Sequence, residues 1–320
     1  MTRDNLPQRQ PLSSAYAPGI ARVLKLLPIL AVFVAMGFGS TVLVAAVVAA
    51  RERDNRVKCA RNLRQIGQAL QLYANDNKCY PRTYYDPKKV GSFEPDFTGG
   101  AAVKPTSNPF KPVDGGSVGA NNVLAAVFLL VRTTDLNPEV FVCPSSANAP
   151  DTFKSNGKVL NLPEVSNFTA AANISYSFTN PYPTTQAVAA GGISPIQVGY
   201  KWSPNVTADF AIAADRNDGF TKKEDAAKVA LMDHESPQAE QSQANSRNHE
   251  QDGQNVLFND GHVDWAQTMW VGANRDGIYT AAKVWKPADE PWRQVLPIQS
   301  KDTLTADPQI DLDTILMPKF

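Results

Sequence analysis

Cys59-Ala-Arg-Asn-Leu-Arg-Gln-Ile-Gly-Gln-Ala-Leu-Gln-Leu-Tyr-Ala-Asn-Asp76 contains no proline, and its apolar residues return on a helical beat. Cys59, Leu63, Ile66, Leu70 and Tyr73 follow one another at steps of four, three, four and three, which places them on one stripe of an α-helix. Arg61, Arg64, Gln68 and Gln71 fall on the other side, so the segment reads as an amphipathic stem that buries one face. No proline occurs from Arg51 to Asn77, and Pro81 is the predicted stop, which assigns residues 51–80 to the stem.

Towards the N-terminus the helical signal changes character. Leu26 to Ala50 is a run of 25 residues without a charge. As a helix it spans roughly 37 Å at ~1.5 Å per residue, enough to cross a ~30 Å hydrocarbon core. A buried core helix rarely stays apolar all round for so many turns, and no small-residue cleavage pattern marks the run as a signal peptide. Pro28, Gly37 and Gly39 are tolerated in a span, where small residues give a partner helix a face to pack on. Residues 1–22 are polar and read as a disordered cytoplasmic tail, and 23–50 as a transmembrane helix. Four basic residues precede the run or stand at its start; six follow it, Arg51, Arg53, Arg56, Lys58, Arg61 and Arg64. A bare count of positive charge would keep the C-terminal part in the cytoplasm, but that rule weakens for a large translocated domain. The basic run itself reads as a stem meeting anionic headgroups.

Towards the C-terminus the signal becomes β. Residues 81–120 read as a long Pro/Gly/Asp loop, and Asn121-Asn122 offers an N-cap to the apolar Val123–Val131. Glu139–Pro144 reads as a short extended piece. Ile174, Tyr176 and Phe178 alternate with serines as in a half-buried strand; Ala208–Asp215 and Lys228–Met232 are further strand candidates. The clearest element is a hairpin at 254–266, where Asp260-Gly261 supplies the positive φ a tight turn needs. The predicted fold class is therefore α+β: a long transmembrane-plus-amphipathic helix packed on an antiparallel sheet domain, 81–320, with long loops. The whole chain carries 31 basic and 31 acidic residues. Without its first fifty residues it is mildly acidic, which gives no bulk attraction to nucleic acid.

Two stretches resemble one family. The stem, with Asn62, Leu63, Gln65, Ile66 and Gly67 in a Cys-x-x-Asn-Leu-Arg-Gln-Ile-Gly pattern, is similar to that of a large family of bacterial pilin-like proteins related to type IV pilins and type II secretion pseudopilins. Asn248-His249, followed by Gly253 to Trp265 with its Asp260-Gly261 turn, resembles the C-terminal His-x9-Asp-Gly signature of the same family. Phe141–Ser145 and Arg275–Tyr279 add weaker matches in the family's order. The resemblance implies a pilin-like fold, an inner-membrane anchor with the N-terminus cytoplasmic and the C-terminal domain periplasmic or extracellular, and other pilin-like or secretion-system proteins as partners. This chain departs from the pattern in two places. Ten residues, not nine, separate His249 from Asp260, and no Gly-Phe-Thr-Leu-x-Glu processing site precedes the apolar run, which also lacks the usual Glu. A permanently anchored relative is the expectation. In an exported domain, Cys59, Cys79 and Cys143 are expected to give one disulfide and one spare thiol. Cys59–Cys143 would tie stem to body and joins two segments that resemble the family; Cys79–Cys143 is the rival pairing, and three free thiols the third state.

Several residue sets carry other chemistry. His249, Asp260 and His262 would make part of a zinc set if the hairpin brought them together, with Asp233-His234-Glu235 upstream. Asp215-Arg-Asn217-Asp-Gly219 places oxygen ligands as a calcium loop does, but the twelfth position is Ala226 and not Glu. The expectation is no metal at either place, with calcium at Asp215 and Asn217 the ion left open. Gly-x-Ser-x-Gly, phosphate-loop and dinucleotide motifs are absent, so neither an enzyme activity nor a small-molecule substrate is inferred. Trp265, Trp270, Trp285 and Trp292 read as packing before they read as a sugar platform. The expected role is a non-catalytic structural component of a bacterial envelope, with the lipid bilayer as first partner. A displayed glycan- or protein-binding module is the first alternative and a metal-dependent enzyme the second.

Overall fold

The computed structural model describes the backbone of residues 17–83, 85, 121–155, 157–160, 162, 165–182, 202–217, 232, 235–272, 275–282, 294–297 and 316–317. Side chains are described for all of these except 17–43, 155, 280–282, 294–297 and 316–317. The chain divides into two compact units, 1–53 and 54–320. The first unit contains the N-terminal part of helix α1, Ala17–Asn77, which begins six residues before the predicted span at 23 and so takes in the end of the predicted tail. Most side chains of the apolar run 26–50 lie outside the described residues; Val44, Val47 and Val48 are exposed. Among the described residues no helix is long and apolar enough to cross a membrane.

The second unit is an α+β body. The stem stripe is buried as its period predicts: Cys59, Leu63, Ile66 and Leu70 are fully buried, Ala69 and Ala74 nearly so, and Tyr73 packs at the edge. The helix ends before Pro81. Lys78 takes a left-handed φ of 63° while its N–H reaches the Ala74 carbonyl at 2.7 Å, so the chain leaves the helix by a C-terminal αL cap. Helix α2, Val123–Thr133, starts on the predicted cap, with the Asn122 side chain accepting from the Ala125 N–H at 2.9 Å. The segment expected to be extended after it opens instead as a 3-10 turn, Pro138–Phe141. Asn137 caps Glu139 N–H, and proline at the first helical position favours the turn. Val142, at φ −115° and ψ 124°, returns the chain to extended backbone.

The central sheet has five antiparallel strands in the order β6-β5-β4-β3-β9, with β3 Tyr176–Thr179, β4 Ala211–Asp215, β5 Gln254–Phe258, β6 Val263–Ala266 and β9 Leu316–Met317. Two minor ribbons, β1 Lys154–Ser155 with β2 Lys158–Val159 and β7 Thr280–Ala282 with β8 Gln294–Pro297, lie apart from it in sheet order. Every residue of β3, β4 and β5 is buried, so the half-buried strand expected at 174–178 is covered on both faces. One face carries Tyr176, Phe178, Ile212, Ala213 and Leu257 against the stem and α2. The other carries Ala211, Ala214, Val256 and Phe258 against Met232, Met269, Trp270, Ile278 and Tyr279. Ile212 and Ala213 are sequence neighbours on one face because a bulge shifts the β4–β5 register between Ala211 and Ala213. Of the strand expected at 228–232, Met232 is buried outside any strand and the other four residues lie outside the described residues.

Two glycines set how closely the layers meet. A Cβ on Gly67 would stand 3.0 Å from the Leu257 side chain, so the stem rests on β5 at that point. A Cβ on Gly253 would overlap the Ala266 carbonyl oxygen and the Trp265 ring at the mouth of the hairpin.

Candidate functional site

Where the stem crosses the sheet, four separate backbone segments bring polar or sulfur-bearing side chains into one buried cluster. A disulfide joins Cys59 of the stem to Cys143 after the 3-10 turn, with Cα atoms 5.1 Å apart, and leaves Cys79 as the free thiol. His249 lies beside it, Nε2 3.5 Å from Cys143 Sγ. The same nitrogen is 3.2 Å from Oδ2 of Asp215 at the end of β4. All four residues are fully buried, and their ligand-type atoms lie within 4.8 Å of one another.

Each member has its own anchor. The Asn62 amide donates to Val142 O at 2.9 Å, and Ser175 N–H donates to Phe141 O at 2.8 Å, so the stem and β3 flank hold the Cys143 segment from two sides. The 3-10 turn Arg247–His249 is capped by Ser246, whose hydroxyl also donates to Arg216 O at 2.7 Å. The Trp265 ring meets His249 edge-on at 5.3 Å and 77°, and the Arg56 guanidinium lies 4.2 Å over that same tryptophan. Arg56 also pairs with Asp252 at 2.7 Å. That basic residue, and Arg64 through Val263 O at 3.5 Å, therefore engage the hairpin in the folded body. These contacts correct the expectation that the whole basic run serves headgroups.

The electrostatics centre on Asp215. Its Oδ2 accepts the Asn255 backbone N–H at 2.7 Å and the Asn255 amide at 3.0 Å, and Oδ1 takes the Asn248 amide at 3.4 Å. Tyr279 donates to the Asp215 backbone carbonyl at 2.5 Å. Burial first, and the Asp215 charge second, hold the Tyr176 and Tyr279 phenols well above the usual tyrosine range. A buried carboxylate with this many donors is fully solvated by the protein itself.

The candidate metal residues of the sequence fall in different parts of the body. His249 and Asp260 do not converge, because β5 lies between them: five residues at ~3.4 Å each separate the two ends by about 17 Å. Asp260 and His262 sit exposed at the hairpin tip, where Asp260 Oδ1 accepts from the His262 N–H at 3.0 Å and meets its Nδ1 at 2.5 Å. Gly261 supplies the expected positive φ of 90° there. Asp233 and His234 lie outside the described residues, and Glu235 is exposed. Of the calcium string, Asp215 turns its carboxylate into the core and the Asn217 amide donates to Ala244 O at 2.8 Å, while Asp218 and Gly219 lie outside the described residues. Trp265 is covered by Arg56 and Trp270 is buried, so neither forms an open sugar platform; Trp285 and Trp292 lie outside the described residues. A 460 Å³ depression between the end of α2 and residues 150–153 is lined by Asp151. Both oxygens of that carboxylate are engaged by Phe153 N–H and Thr169.

The His249–Asp215 partnership was not legible as a pair. The available signal was weak: an aspartate closing the apolar run Phe210–Ala214, which is a strand's buried face continued by an acid. No protein-family model, curated protein or solved structure matches the chain.

Proposed function

We propose that this chain is a non-catalytic, single-pass, membrane-anchored structural component of a bacterial envelope, built like a pilin or pseudopilin and retained in the inner membrane. The observation that carries the reading is the stem. Directly after an uncharged run long enough to span a bilayer, the helix seats Leu63, Ile66 and Leu70 in the body's core and is bonded to it at Cys59. A stem buried along one face and covalently tied to its own body suits a structural element. The disulfide also favours an oxidising compartment for residues 54–320, hence an N-terminus in the cytoplasm. Other pilin-like or secretion-system proteins are the partners this reading implies. The residues at the centre of the body, Asp215, Asn248, His249 and Asn255, then act as an internal brace.

Full-length chain carrying a C-terminal reporter tests it. The expected result is resistance to carbonate extraction of membranes, reporter activity only outside the cytoplasm, and an intact mass that retains residues 1–22. Extraction into the soluble fraction, or a reporter active only in the cytoplasm, overturns the anchor; loss of residues 1–22 replaces permanent anchoring with pilin-type processing.

A further inference from the structure

The buried cluster has the donor set of a metal centre as well as of a disulfide. We propose that Cys59, Cys143, His249 and Asp215 form a zinc site when the disulfide is open, so that the stem is clasped to the body by a metal ion in one redox state and by a covalent bond in the other. The inference does not depend on where the chain resides.

The geometry is close to what zinc needs. Tetrahedral Zn–S, Zn–N and Zn–O bonds of ~2.0–2.3 Å put neighbouring ligand atoms roughly 3.3–3.8 Å apart. The Cys143 Sγ to His249 Nε2 distance is 3.5 Å and the Nε2 to Asp215 Oδ2 distance 3.2 Å, so two edges of the tetrahedron are already in place. The two sulfurs must part once their bond is broken, and the other three ligand pairs settle from separations of at most 4.8 Å. Neither backbone relies on that bond alone. Leu63, Ile66 and Leu70 hold the stem, and the Asn62 amide holds the Cys143 segment across the gap. The shell around the ligands suits the charge. Two thiolates and one carboxylate exceed Zn2+ by one negative charge, and the Asn255 N–H and the Asn255 and Asn248 amides point donors at Asp215 to offset it.

The step balances with a dithiol as reductant. Two electrons from the dithiol cleave the Cys59–Cys143 bond, giving two thiols here and a disulfide in the donor. Zn2+ then displaces both thiol protons and binds Nε2 of a neutral imidazole whose proton sits on Nδ1. In a nascent chain the cysteines start reduced, so the ion enters before the core closes.

The test uses full-length protein in detergent, reduced without oxygen, freed of reductant and titrated with Co2+ and then Zn2+. The expected result is one Co2+ bound per chain with tetrahedral d–d and thiolate charge-transfer bands, displaced by one Zn2+. Cys59→Ser and Cys143→Ser each cut the charge-transfer band to half or less, and the double variant abolishes it. His249→Ala weakens Zn2+ more than about 100-fold, and Asn255→Ala, which removes only a supporting bond, about 10- to 100-fold. Cys79→Ser leaves binding unchanged. No uptake by the folded, reduced protein, or uptake that survives His249→Ala, overturns the proposal. If reduction unfolds the chain, Zn2+ must restore its near-UV dichroism and block re-formation of the disulfide on oxidation; failure to do either equally overturns it.

Discussion

The chain places an aspartate beside a histidine at each end of β5, and the two pairs have opposite characters. Asp215 and His249 meet at 3.2 Å, fully buried, with Asn248, Asn255 and the disulfide around them. Asp260 and His262 meet at 2.5 Å at the hairpin tip, each side chain nearly half exposed. The shorter contact is the weaker contributor. An exposed pair exchanges hydration for a screened attraction, whereas a buried carboxylate that loses its donors has no water to replace them. Environment, and not separation, decides which pair the fold depends on.

The largest expected effect comes from removing the covalent link beside the buried pair. Cys59→Ala with Cys143→Ala opens a loop of 84 residues, for which chain entropy gives a loss of about 4.5 kcal/mol. Urea unfolding of the full-length double variant, followed by near-UV dichroism, measures it. A loss under about 1 kcal/mol would mean that core packing alone fixes the stem. Next in size is Asp215→Ala, which takes the buried acceptor away from the Asn255 N–H and amide and the carboxylate away from His249; it is expected to cost about 3–4 kcal/mol in the same assay. Asp260→Ala is the matched control at the other end of the strand and is expected to leave the unfolding midpoint where it is.

How far each end was legible follows from the same contrast. The stem was readable because burial there follows one local period: Cys59, Leu63, Ile66 and Leu70 are all fully buried. The hairpin was readable because Asp260-Gly261 specifies its turn within a few residues. The buried site was not, because its members come from four segments that only the packed sheet unites. Proximity in sequence actively misled: His249 lies nearer to Asp260 along the chain, yet the strand between them carries the two apart, while Asp215, 34 residues away, becomes the partner. Asp215 also stands in an Asp-x-Asn-Asp-Gly string whose oxygens suggested calcium, and nothing local told that its carboxylate turns inward. The positions of Lys78 and Pro138 carry a related lesson, since a single φ or cap moved an element boundary that composition had placed elsewhere.

Alkaline pH sharpens the comparison from the stem side. Tyr80 donates to Asn259 Oδ1 at 3.0 Å, and burial pushes its phenol up to about 12; Tyr182, beside Thr83, is likewise pushed up to about 12. A phenol whose folded value exceeds its unfolded value of 10.0 stabilises fully below pH 10, and that stability declines as pH rises towards 12. Unfolding by base should therefore begin above about pH 10 and coincide with tyrosinate absorbance. Tyr80→Phe, which cannot ionise, should move the onset upward.

The smallest effect isolates the exposed pair. Asp260 is held below the ordinary carboxylate value of 3.8, first by the His262 backbone N–H and then by its side chain. The sign follows: a depressed carboxyl contributes above its unfolded value and loses that contribution as pH falls through the folded one. Because the group lies in water at the hairpin tip, the loss should stay local to the turn. Carbon-detected NMR titration of Asp260 should give a midpoint under 3.8 in the intact protein. His262→Ala should raise that midpoint only partway, since the backbone N–H remains. A complete return to 3.8 would assign the depression to the ring alone. Concurrent loss of tertiary structure would show that the tip, and not only the buried end of β5, holds the hairpin in place.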